Sequence, residues 1–211
     1  MTDLAVYLVT DTRLCGGPAG VVRTARAAVA GGASAVQLRD PAATTRELMQ
    51  LGEALRRVLD GSGVPLIVND RIDVALAIGA DGAHIGQSDM DPRSARRLLG
   101  PDRHLGLSVS TLDELDEAIA LPAGTVDLLG VGPIRATARK PDASPPMGFG
   151  GLAEICAAAD VPCVAIGGLT CADAPAVRAA GAIGLAVISA ICGTPDPEAA
   201  ARALRCAWDA A

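Results

Sequence analysis

The chain has 211 residues, half of them hydrophobic, and a formal net charge of −6. That length can bury a real core as one large domain or two small ones. The absence of any dense basic run argues against nucleic acid or an anionic membrane as a partner, though not against a small anionic ligand held locally.

Short β-rich runs alternate with Ala-rich helical runs along the whole chain. The pattern predicts a strand over 6–10 ("VYLVT") and a helix over 19–32 closed by glycine. A strand over 35–40 ("AVQLRD") precedes a helix over 44–61, and a strand over 65–70 ("PLIVND") a helix over 71–80. A strand over 82–87 leads into a helix over 91–100, with Asp91 as N-cap and Pro92 in its first turn. A strand over 104–110 is followed by a helix over 111–120, opened by a capping box of Thr111 and Glu114. Next come a strand over 126–132, a long loop and a helix over 151–159. The chain closes with a strand over 162–168, a helix over 171–181, a strand over 184–191 and a helix over 196–210.

Only Tyr7, Phe149 and Trp208 are aromatic. The core is therefore built from Ala, Val, Leu and Ile, which suits a parallel sheet covered by helices. Repeated βα units imply parallel strands, and eight is the number that closes a (β/α)8 TIM barrel, an α/β fold. An open flavodoxin-like sheet would need only five. No shift in composition divides the chain, so residues 1–211 are expected to form a single barrel domain.

In such a barrel the active site lies at the C-terminal strand ends. Those ends carry Gln37 and Arg39, Asn69 and Asp70, Gln87 and Asp89, Ser108, Gly132, Gly167 and Gly168, and Ile188 and Ser189. The N-terminal ends show no comparable group in the sequence. One polar strand end reads as a solvated loop; a whole set reads as a shared pocket, with "NDR" (69–71) as one wall.

Asp70 and Asp89 follow the third and fourth strands, and neighbouring strands lie about 4.8 Å apart. Two converging carboxylates favour a cation between them, and an all-oxygen site suits Mg²⁺. Spacing alone leaves a second reading equally open, in which Asp70 caps the following helix and Asp89 sits in a turn. Gly167–Gly168 and the residues after the eighth strand occupy the fold's usual phosphate-binding loops, or form a tight turn. The loop over 132–150 carries Arg135, Arg139 and Lys140. Lys140 and Arg39 could neutralise a pyrophosphate; a solvated lid with incidental charge is the plainer reading.

His84 lies within a strand and reads as packed in the barrel, and His104 as a surface residue. The six cysteines include no CxxC, so zinc has little support; most read as small hydrophobes. The N-terminus lacks the basic region and long apolar core of a signal peptide, and no segment is long enough to span a bilayer. The expectation is a cytoplasmic protein in a reducing compartment, compatible with a homo-oligomer.

The motifs "YLVTD", "VQLRD", "LIVNDRIDVALAIGADGAHIGQSDM", "GLSVSTLDE", "GVGPIRATARKPD", "VAIGGLT" and "GLAVISAI" together resemble the thiamine phosphate synthase family across nearly the whole chain. The resemblance implies a transferase of thiamine biosynthesis. It joins a hydroxymethylpyrimidine pyrophosphate to a thiazole phosphate, or its carboxylated form, by dissociative displacement with loss of pyrophosphate. Carried over by motif, Gln37, Arg39, Asn69, Ser108 and Lys140 would hold the pyrimidine pyrophosphate, and Asp70 and Asp89 the Mg²⁺. Thr137, Arg139, Gly168, Ile188 and Ser189 would meet the thiazole phosphate. Arg39 and Lys140 would stabilise the leaving group.

Two departures stand out. Pro41 replaces a lysine common in the family's second motif, and Arg139 replaces a hydroxyl residue in its loop. Two alternatives remain: a thiazole tautomerase of the same fold, and a non-catalytic thiamine phosphate-binding barrel. The tautomerase branch lacks the paired aspartates and carries a histidine where this chain has Ser110.

Overall fold

The strands are short, and their register does the organising. The computed structural model describes residues 3–136 and 144–211. β1 (Val6–Val9), β2 (Ala35–Leu38), β3 (Leu66–Asn69), β4 (Gly82–Ile85), β5 (His104–Val109), β6 (Leu128–Val131), β7 (Cys163–Ile166) and β8 (Leu185–Val187) pair in sequence order. β8 returns to β1 through Tyr7↔Ala186, so the parallel sheet closes on itself. The helices are α1 (Pro18–Ala30), α2 (Thr45–Leu59), α3 (Ile72–Ile78), α4 (Pro92–Leu99), α5 (Leu112–Ile119), α6 (Gly148–Ala158), α7 (Ala174–Ala179) and α8 (Pro197–Asp209). The expected (β/α)8 barrel is the observed fold.

The two-residue period of a strand divides its side chains between two cores. Leu8, Val36, Leu38, Val68, Ile85, Leu107 and Leu129 face the helices and join the larger apolar core there. α2 shows why the helices settle on it: Leu48, Leu51, Leu55 and Leu59 form one buried stripe. Burying each such leucine contributes about 1.5–3 kcal/mol. A Thr44–Glu47 capping box starts that helix at the predicted residue. The alternate residues, Tyr7, Val9, Ala35, Ile67, Leu128, Val164 and Ala186, fill the barrel interior.

Three segments depart from expectation. β8 ends at Val187, because the Ile191 and Cys192 N–H groups fold back on the Ile188 carbonyl at 3.1 and 2.8 Å. Ile188 and Ser189 thus belong to a turn. The helix expected over 171–181 opens as a 3-10 turn, Cys171–Asp173, and α7 proper is shorter. Asp173 is drawn back there to accept from the Thr170 N–H at 2.9 Å.

The third departure is at the floor. Several N-terminal strand ends are polar after all, through residues lying just before β2, β4 and β6. Asp81 accepts from the Leu66 N–H at 2.8 Å, Asp127 from the Leu105 N–H at 2.7 Å, and Ser34 from the Val6 N–H at 3.1 Å. Arg96 binds Asp127 at 2.6 Å and the carbonyls of Thr125, Gly100 and Arg103. These groups satisfy backbone donors and acceptors that would otherwise lack partners. His104, expected at the surface, is partly buried, its Nδ1 3.9 Å from Asp127. Burial holds its imidazole below the ordinary histidine range and Arg96 adds to this, while Asp127 opposes both.

On the outer ring, Trp208 of α8 is buried under the Arg178 guanidinium, 5.4 Å from the ring centre. No helix among the described residues is long and apolar enough to cross a membrane.

Candidate active site

The inward positions nearest the C-terminal end of β2 to β5 are all polar: Gln37, Asn69, His84 and Ser108. They follow from the same two-residue period that places Ala35, Ile67, Gly82 and Gly106 one step below. On β6 and β7 the corresponding positions are Gly130 and Ile166, and Ile188 follows just past the end of β8. The mouth therefore has a hydrogen-bonding wall and, opposite it, an apolar and glycine wall.

Each polar residue is held. Gln37 is buried, and its Nε2 donates to the Tyr7 hydroxyl at 3.2 Å. Thr10 locks the ends of β1 and β2 together: its N–H donates to the Gln37 carbonyl and its Oγ1 accepts from the Arg39 N–H, both at 2.9 Å. That fixes the Arg39 backbone at the rim, and its guanidinium makes no hydrogen bond or ion pair among the described residues. His84 Nε2 lies 3.0 Å from Ser108 Oγ, and Gln87 Nε2 donates to the Ser108 carbonyl at 2.7 Å. The imidazole has room because two neighbours lack side chains. A Cβ at Gly106 would sit 2.3 Å from His84 Nδ1, and one at Gly130 2.8 Å from its Cε1.

Asp70 takes a left-handed backbone, φ 62°, the one positive φ among the described non-glycine residues. Such a conformation costs a non-glycine residue of order 1 kcal/mol. The Asp70 N–H continues the β3–β4 ladder by donating to the His84 carbonyl at 2.8 Å, and its carboxylate accepts from Asn69 Nδ2 at 2.6 Å. It does not cap α3, whose N-cap is Arg71 without a side-chain cap. Asp89 Oδ2 accepts from the Gly86 N–H at 2.8 Å, just beyond β4. The turn reading of Asp89 is thus correct, and the capping reading of Asp70 is not. Asp70 follows β3 and Asp89 follows β4, which are paired neighbours, and oxygen donors of this kind could hold a hard divalent cation. No group of three or more His, Cys, Asp or Glu among the described residues is arranged for a metal.

Other expected cations and contacts fall differently. Arg71 leaves the mouth: its guanidinium pairs with Asp73 and donates to Thr45 Oγ1 at 2.9 Å, tying α3 to α2. Arg135 is committed to Asp173 at 2.5 Å and stacks on Phe149, 5.5 Å from the ring centre. Thr137, Arg139 and Lys140 lie outside the described residues. Gly167 and Gly168 have φ of 106° and 65°. A Cβ on Gly167 would meet Pro133 at 2.7 Å, and one on Gly168 would meet Arg135 at 3.0 Å. The turn after β7 needs both glycines for its own geometry, whatever else approaches it.

Sequence reasoning overlooked Tyr7, Thr10 and the link from His84 to Ser108. Strand parity carried the signal, because Tyr7 and His84 occupy inward positions while Val6, Leu8, Ala83 and Ile85 face out. The described cavities, about 510 and 320 Å³, lie at the floor around Leu4, Asp102 and His104. Their walls are the N-terminal strand ends, so they are separate from the mouth.

A closed parallel barrel with this mouth defines a barrel enzyme whose chemistry sits at the C-terminal strand ends. Residues 6–191 match the family model described as thiamine monophosphate synthase. The chain is 50% identical over 203 residues to a thiamine-phosphate synthase of Azorhizobium caulinodans, covering 96% of this chain and 94% of the relative. It is 51% identical over 205 residues to that of Xanthobacter autotrophicus, with coverage of 97% and 95%. A solved thiamine phosphate pyrophosphorylase from Pyrococcus furiosus superposes with a TM-score of 0.88 at 36% identity, over 99% of this chain and 97% of that one. The chain belongs to the thiamine monophosphate synthase family.

Proposed function

We propose that this protein joins a hydroxymethylpyrimidine pyrophosphate to a thiazole phosphate, or its carboxylated form, yielding thiamine phosphate and pyrophosphate. Membership of the family supports the reaction. The observation that carries the reading on this chain is the run of inward Gln37, Asn69 and Ser108 below Asp70 and Asp89. Gln37, Asn69 and Ser108 offer donors and acceptors to the aminopyrimidine and its pyrophosphate, each pre-set by a neighbour. Arg39 at the rim, with Lys140 from the following loop, neutralises charge growing on the departing pyrophosphate.

Asp70 and Asp89 supply an all-oxygen pair that fits Mg²⁺, leaving its remaining positions to water and phosphate oxygens. Bound there, Mg²⁺ would contribute Lewis-acid stabilisation of the leaving group. The thiazole phosphate is assigned to the opposite wall, at Gly168, Ile188 and Ser189, with Thr137 and Arg139. The bond to pyrophosphate breaks first, the aminopyrimidine stabilises the methylene cation that is left, and the thiazole nitrogen then attacks it. The protein supplies no nucleophile; it holds two anions in line and excludes water. The partners are small phosphorylated molecules, and the setting is the cytoplasm.

The test is incubation with both substrates and Mg²⁺, followed by detection of thiamine phosphate and pyrophosphate. Asp70→Asn and Asp89→Asn should each slow turnover by at least about tenfold, equivalent to about 1.4 kcal/mol of barrier. Full activity in excess chelator would reject the metal assignment. Isomerised thiazole without pyrophosphate would favour the tautomerase alternative.

A further inference from the structure

Two cysteines meet beside the mouth. Cys15 lies in the loop after β1, and Cys192 in the turn after β8 that carries Ile188 and Ser189. The loops touch: a Cβ on Gly193 would lie 3.2 Å from the Leu14 carbonyl oxygen. Cys192 is buried, its Sγ 3.7 Å from the Val9 carbonyl oxygen at the end of β1. Cys15 is half-buried. Leu14 and Gly193 are the chain neighbours of Cys15 and Cys192, so the loop contact sets the two cysteines side by side.

That contact separates their chemistry. The neighbouring Cys192 thiol, with help from Thr24 and the Asp11 backbone, holds the Cys15 thiol below the ordinary range, against burial and the Asp11 charge. The same contact and burial push the Cys192 thiol up. An accessible thiolate beside a buried second thiol is the arrangement that forms disulfides on oxidation.

We propose that Cys15 and Cys192 are a peroxide-reactive modification site, whose disulfide ties the β1–α1 loop to the β8–α8 turn and weakens thiazole phosphate binding. The Cys15 thiolate attacks a hydroperoxide oxygen, the O–O bond breaks and the departing oxygen leaves as water after protonation, giving a sulfenic acid. The Cys192 sulfur then attacks the Cys15 sulfur. The S–O bond breaks, and the Cys192 proton leaves with the oxygen as a second water. Two thiols and one hydrogen peroxide give one disulfide and two waters. A covalent S–S bond pins one loop to the other, and Ile188 and Ser189 ride on the one that holds Cys192. Reversible cytoplasmic disulfides of this kind are characteristically regulatory.

The cross-link stands independently of the reaction; its effect on turnover rests on the proposed synthase reading. The test treats the full chain with hydrogen peroxide and maps peptides without reduction. Expected are a Cys15–Cys192 linked pair, a KM for thiazole phosphate raised several-fold with that for the pyrimidine pyrophosphate little changed, and recovery with dithiothreitol. Cys15→Ser should fold, keep basal turnover and resist oxidative loss. Cys156 on α6 and Cys163 on β7, whose thiols are shifted apart by their neighbourhood, serve as an internal comparison. Linkage only there, or over-oxidised Cys15 without linkage, would overturn the site. A mapped Cys15–Cys192 disulfide with unchanged kinetics would overturn the coupling alone. Absence of synthase turnover before oxidation would count against the function and leave the mapped disulfide standing.

Discussion

Replacing Gly106 with alanine tests whether the imidazole of His84 fills the barrel at the expense of its neighbours. The added Cβ would lie 2.3 Å from His84 Nδ1 and 3.1 Å from its Cε1, and the three nearest atoms all belong to that ring. Gly106 does not adopt a positive φ, so backbone strain plays no part. Overpacking of this kind costs about 1–3 kcal/mol, offset by about 0.4–1 kcal/mol from the stiffer unfolded chain. The net loss is about 1–2 kcal/mol. An unfolding entropy of about 2.1 cal/mol/K per residue over 211 residues converts this to a Tm about 2–5 °C lower. Turnover should also fall, because the ring must move off Ser108. The assay is thermal unfolding of the parent, Gly106→Ala, His84→Ala and the double variant. Against His84→Ala there is no ring to meet, so Gly106→Ala should be neutral or raise Tm by about 1–2 °C. An equal drop in both backgrounds would refute the argument.

Gly168→Ala should cost about 1 kcal/mol through its left-handed backbone and raise the KM for thiazole phosphate more than that for the pyrimidine pyrophosphate; equal loss of both would make Gly168 a purely structural turn. His104 is held below its ordinary range of about 6.5, so acid protonates the unfolded chain first. Its stability contribution is complete above pH 6.5 and declines as pH falls toward the lower folded value. His104→Gln should therefore flatten the acid limb of a pH–Tm curve, and an unchanged limb would reject this.

Much of the barrel was legible because it rests on periodicity. The strands and helices of residues 6–134 fall where the alternation places them, and Asp91, Thr111 and Thr44 begin helices as their chemistry demands. The expected Thr111–Glu114 capping box is only half formed, because the Glu114 carboxylate accepts from the Ser110 N–H instead. β8 was overread because "GLAVISAI" is apolar throughout, and an apolar run does not reveal where the chain turns. Arg71 and Arg135 were misplaced at the mouth for another reason. A guanidinium on a long stem settles on the nearest carboxylate, and Asp73 and Asp173 were the nearer ones. The floor carboxylates were missed because they serve strands other than their own: Asp81 caps β3, and Asp127 caps β5.

The scarcity of aromatic residues has an optical consequence. Tyr7 and Trp208 are the sole tyrosine and tryptophan, and they sit in different layers of the molecule. Trp208 emission reports the docking of α8 against Arg178 and should be nearly silent to events at the mouth. Tyr7 is enclosed in the barrel, where burial pushes its phenol above the ordinary range. Its ultraviolet ionisation band should therefore appear only when the sheet opens. One chain thus carries two unmixed spectroscopic reporters, so loosening of the helical ring and rupture of the barrel can be timed separately without any label.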